Sequence, residues 1–151
     1  MEMLVVLTIM AVLASVAIPY AQKAMKRSKE MELMSALREI RTAIDAFHDD
    51  WKKGAISKFS DSASENGYPK NLSSLCEGAE ANNITQKKIK YLRRIPRDPF
   101  FVDQSVPADQ QWGMRAYDDE PDSSTWGGED IYDVYTTCDK TALDGSKYAD
   151  W

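Results

Sequence analysis

The stretch EMLVVLTIMAVLASVAIPYA, residues 2–21, decides how the rest of this chain is read. From Met3 to Ala21 it carries no charge, and as a helix it would rise roughly 28 Å, close to the ~30 Å hydrocarbon thickness of a bilayer. A retained membrane span is the direct reading. A secretory signal peptide would need a basic region ahead of the apolar run and a clear cleavage site, and neither is visible. Two residues complicate a plain lipid anchor. Glu2 places a carboxylate at the start of the run, and such a group needs a cation or donor once the helix is buried among others. Pro19 removes a backbone donor near its end and weakens the helix locally, which permits bending or melting there.

Beyond Pro19 the helical pattern continues. Leu33, Leu37, Ile40, Ile44, Phe47 and Trp51 follow at steps of four, three, four, three and four, one apolar stripe on one helix face. Lys29, Glu32, Arg38, Glu39, Arg41 and Asp45 are assigned to the opposite, solvated side, and Gly54 is the expected stop. The chain therefore divides into an apolar helix over 1–21, its amphipathic continuation over 22–54, and a globular part over 55–151. With 151 residues there is room for one small globular unit beside the span, and a two-domain enzyme is not expected.

Downstream, Ser57–Asn66 is polar, Gly67-Tyr68-Pro69 reads as a turn, and Leu72–Cys76 as a short surface helix. YLRRIPRDPF, 91–100, holds Pro96 and Pro99 and reads as an ordered extended loop. Gln111–Tyr117 and Asp130–Thr136 alternate as strands and are joined through the acidic loop DDEPDSSTWGG, 118–128, giving an antiparallel hairpin. Ile131, Asp133 and Tyr135 are expected on one face of the second strand, with Tyr132, Val134 and Thr136 on the other. The fold class is α+β, a long N-terminal helix packed on a small antiparallel sheet.

The net charge of −5 is uneven. From Asp118 to Trp151 acids far outnumber Lys140 and Lys147, so that end repels phosphate backbones and nucleic acid is not an expected partner. Basic residues gather at Lys23, Lys26, Arg27 and Lys29, and again between Lys87 and Arg97, as solvated or headgroup-facing surfaces. Catalysis finds no support: His48, the one histidine, is read as a surface residue beside Asp49 and Asp50, and no nucleophile motif accompanies it. The pair Asp118 and Asp119 reads as solvated loop acids. Asp139, Asp144 and Asp150 in CDKTALDGSKYADW, 138–151, with Gly145 for a tight turn, are hard oxygen ligands of the kind calcium takes, at a spacing that is not an EF-hand. Cys76 and Cys138 allow one disulfide closing a long loop outside the cytoplasm, or two unpaired buried thiols; there is no CxxC.

The stretch EMLVVLTIMAVLASVAIP resembles the N-terminal helix of type IV pilins and of the related secretion pseudopilins. YLRRIPRDPF, WGMRAYDDEP and GGEDIYDVYT are similar to segments of the major pseudopilins of type II secretion, which ordinary type IV pilins lack. The resemblance implies a pilin fold and a structural, non-enzymatic subunit: a helical homopolymer whose N-terminal helices form the filament core and which drives protein export across the outer membrane. It implies a bacterial inner-membrane, single-pass location with the globular part in the periplasm, against the positive-inside rule applied to Lys23–Lys29 alone. Its implied partners are minor pseudopilins, an inner-membrane assembly platform with its ATPase, a prepilin peptidase, and membrane lipid before assembly. Glu2 takes the place of the family glutamate that meets a neighbour's N-terminus. A basic leader ending in Gly, and a methylated first residue, usually Phe, would then precede what is seen here. The family's C-terminal loop binds calcium through Asp side chains and backbone carbonyls; TTCDKTALDG, 136–145, departs from its Gly-rich form, and a Cys76–Cys138 bond would tie the loop instead or as well. The alternative within the superfamily is a type IV pilin for adhesion, DNA uptake or motility. Outside it stands a single-pass protein whose exterior domain binds a ligand.

Overall fold

The computed structural model describes residues 2–58, 60–82 and 87–151, the side chain of Val16 excepted. Met1, the first residue of the expected apolar segment, lies outside the described residues. Helix α1 runs unbroken over Glu2–Lys52, a length of about 76 Å at 1.5 Å per residue. Its first twenty residues are exposed, the Val16 side chain left aside, while Leu33, Ile40, Ile44 and Phe47 are wholly buried and Leu37 nearly so. Each such burial is worth roughly 1.5–3 kcal/mol, so the stripe read from the sequence is the spine of the core. Trp51, at its end, is only half-buried. The helix closes on a Schellman motif: Gly54, at φ +75°, donates its N–H to the Trp51 carbonyl and Ala55 donates to Asp50.

Helix α2, Ser73–Glu77, starts one residue later than expected, with the Asn71 side chain accepting the Ser74 N–H. Strands β1, Ala79–Glu80, and β2, Lys88–Ile89, pair antiparallel and form a first sheet that the sequence reading did not contain. The expected hairpin is present as β3, Trp112–Arg115, and β4, Asp133–Thr136, in the register Trp112↔Thr136 to Arg115↔Asp133. It packs on α1, giving an α+β layout with two small two-stranded sheets. The expected faces of the second strand hold only inside the ladder. Ile131 and Val134 are both fully buried although they were assigned to opposite faces, because Ile131 leaves the hairpin and donates its N–H to Pro69.

Two buried carboxylates tie loops to this frame. Asp98 accepts from the Phe100 N–H and the Thr136 hydroxyl, and its own N–H donates to Gln111, which locks the 91–100 segment to β3 and β4. Asp130 accepts from Ser64 and the Tyr117 N–H, closing the acidic loop. Asp119 is likewise no idle surface acid, since it caps the Ala116 and Gly127 amides; Asp118 is exposed as expected.

Candidate functional site: the exposed helix and its charged collar

The half of α1 that precedes the domain is apolar and bare. Met3, Leu4, Leu7, Met10, Leu13, Ile18 and their neighbours are exposed, and the most apolar stretch has no buried residue. In water such a surface is strongly unfavourable, far beyond the apolar patch an isolated soluble domain tolerates. The helix is long and apolar enough to cross a membrane. Glu2 lies in its first turn, exposed. Pro19 sits inside the continuous helix without ending it, leaving the Ser15 carbonyl without its usual donor four residues on.

Where this bare half meets the domain, charged residues of α1 hold the C-terminal segment. Glu30 is buried, and one of its carboxylate oxygens accepts from both the Leu143 N–H at 2.9 Å and the Tyr148 hydroxyl at 2.8 Å. Lys26 donates to the Thr141 carbonyl at 2.6 Å and lies over the Tyr148 ring. Arg41 pairs with Asp133 at 2.6 Å and donates to the carbonyls of Val134 and Trp151. Arg41 was assigned to the solvated face; it is half-buried because Asp133 and the returning chain cover it. Tyr148 is fully buried, and burial followed by its bond to Glu30 raises the pKa of its hydroxyl well above the usual tyrosine range.

The sequence reading missed Glu30 and Lys26, and a signal for both was there. Continued toward the N-terminus, the stripe of Leu33 and Leu37 passes through positions 30 and 26, so two charges sit where the helix faces the domain. A charge at a core-facing position announces a buried partner.

The aspartates proposed for calcium are not brought together. Asp139, Asp144 and Asp150 are all exposed, and among the described residues no group of three acidic, histidine or cysteine side chains gathers as a metal requires. Asp144 instead turns back on its own loop, accepting from the Ser146 N–H and hydroxyl, contacts that lower its pKa. The cysteines are free thiols, both half-buried. Cys76 lies in the last turn of α2 beside the 94–97 segment, where burial raises its pKa despite Lys90, whereas Cys138 follows β4 and donates its N–H to the Thr136 hydroxyl. The loop is held by Glu30, Lys26 and Arg41, not by the disulfide considered from the sequence. His48 is also placed differently: it stacks on Tyr68 at 4.0 Å and faces the Gly67 carbonyl, which can only accept, so its Nδ1 carries the proton.

No family model, curated protein or solved structure matches the chain.

Proposed function

We propose that this chain is the structural subunit of a type II secretion pseudopilus, its α+β layout being the pilin fold. The observation that carries the reading is one unbroken helix whose first half is apolar and uncovered while its second half is the core of the domain. Such a helix has two stable environments, lipid and the apolar centre of a bundle of its own copies. The subunit waits in the inner membrane with the domain in the periplasm, then leaves lipid for a helical filament that drives protein export. Glu2 becomes buried in that step and takes as its partner the positive N-terminus of a neighbour. Pro19 lets the helix adjust as its surroundings change. The chain performs no reaction itself; an assembly ATPase acting through the membrane platform supplies the work, and minor pseudopilins and a prepilin peptidase complete the machinery.

Expression of the chain together with a secretion platform, followed by electron microscopy of sheared cells, tests this. Filaments containing the chain are the expected result; a chain that stays dispersed in the membrane overturns it. Gene neighbours encoding a secretin and a secretion ATPase favour this reading over a type IV pilin for adhesion, DNA uptake or motility.

A further inference from the structure

We propose that the end of the domain facing the apolar half of α1 is a docking surface for anionic lipid headgroups, so that before assembly the domain rests on the bilayer. This rests on the reading that residues 3–21 lie in a membrane.

Depth comes first. Lys26 lies five residues beyond Ala21, about 7.5 Å further along the helix, and the headgroup zone of a bilayer is roughly 5–7 Å deep on each side. Helical side chains lean toward the N-terminus, so what they touch sits lower than their own backbone. The Lys29 ammonium lies 6.0 Å from the centre of the Phe100 ring, and Phe100 stacks on Tyr148, which Lys26 overlies. Residues 94–97 flank α1 beside Glu32 and Glu39, so the chain descends along the helix and turns just past Phe100.

At that turn stands Val102, 99 % exposed, the most exposed large apolar side chain outside the span. Its loop is not loose: Arg97 donates to the Gln104 carbonyl, and Gln104 donates to the carbonyls of Asp98 and Phe101. Held by these bonds, the loop keeps the valine at the surface, where it is available to an apolar phase. Leu143, also exposed, is held at the same level through Glu30.

Charge complementarity selects the lipid. Lys23, Arg27, Lys29 and Lys140 are exposed, and no side-chain hydrogen bond or ion pair engages any of them among the described residues. Asp103 and Asp144 share this end of the domain and stay charged, each accepting from a serine of its own loop, Ser105 and Ser146, and Asp139 stands next to Lys140. The basic excess lies on the helix itself: between Ala21 and Glu30 it carries Lys23, Lys26, Arg27 and Lys29 and no acid, and a cation near the surface is worth about a fivefold shift toward an anionic surface.

The test uses the full chain, one copy per lipid nanodisc, so that a second copy cannot supply the contact. Fluorophores are attached singly at Val102→Cys, at Asp61→Cys on the far side and at Val12→Cys in the span, all in a Cys76→Ser, Cys138→Ser background. A headgroup-attached spin label is expected to quench position 102 but not 61, with the quenching lost in zwitterionic lipid and in Lys23→Glu, Lys29→Glu. In the unlabelled wild-type chain, amide exchange over 101–104 is expected to slow when anionic lipid is added. Equal quenching at 102 and 61, with position 12 still quenched by a label on the acyl chains, overturns the docking surface alone. Loss of quenching at position 12 overturns the membrane reading with it. Indifference of both measurements to lipid charge overturns the headgroup assignment.

Discussion

Glu30 shows what a single carboxylate does when helical spacing turns it inward. One oxygen serves both the Leu143 amide and the Tyr148 hydroxyl, so removing it strands the buried hydroxyl and releases the loop amide at once. Glu30→Ala is expected to cost about 1.5–3 kcal/mol in chemical denaturation and to open residues 139–147 to proteolysis. Glu30→Gln, which keeps an acceptor, should restore much of the protection; equal protease resistance of Glu30→Ala and wild type would show that the loop stands without it. Tyr148 adds a pH dependence whose sign follows from its raised pKa. Its neutral form is favoured by the fold, so its contribution is complete below the ordinary tyrosine pKa of about 10 and shrinks as the pH rises beyond it. Melting temperatures measured through the alkaline range should fall, and fall less in Tyr148→Phe. A Tyr148→Phe curve parallel to wild type would place the loss elsewhere, for example at Tyr91, whose hydroxyl is also raised by burial and by Asp50.

At the scale of elements, what was legible in the sequence was what repeats. The α1 stripe has a period that six apolar residues declare, and β3 and β4 have enough alternation to be placed within a few residues. Strands β1 and β2 are two residues each, too short to carry any period, and the Ile56–Ala81 bridge extends their pairing toward the end of α1. The clamp on the C-terminal segment was hidden for a different reason: the stripe was read only from Leu33 onward, so Glu30, one helical step before it, was given no role. The hairpin also depends on a residue whose role lies in its missing side chain. A Cβ on Gly113 would fall 2.3 Å from the Tyr135 ring, which is covered on the same strand pair by the Arg115 guanidinium at 4.2 Å and anchored through its hydroxyl to Ser124. The ring has little room to yield, so Gly113→Ala is expected to destabilise the domain by about 1–3 kcal/mol. A lower denaturation midpoint at unchanged m-value would confirm a local clash, and an unchanged midpoint would mean that Tyr135 moves freely.

On the proposed function, one helix has to serve two surroundings, lipid and a packed bundle, and the two irregular residues of its apolar half separate them. In lipid, Glu2 lies at the end of the span and reaches the interface, so insertion depends little on it. In a packed bundle it is surrounded by apolar side chains, where an unpaired carboxylate is strongly unfavourable and a paired one fixes the axial position of each incoming copy. Glu2→Ala should therefore leave the protein in the membrane fraction at wild-type abundance while abolishing filaments. Pro19→Ala adds back a backbone donor and straightens the helix; it should raise the helical content of the detergent-solubilised chain yet reduce filament yield, if local yielding at Pro19 is what the transfer requires. Fractionation, circular dichroism and electron microscopy on the same two variants read these effects independently. Filaments of normal length from Glu2→Ala would remove the carboxylate from assembly. Loss of the protein from the membrane would show instead that Glu2 acts before assembly begins, during insertion.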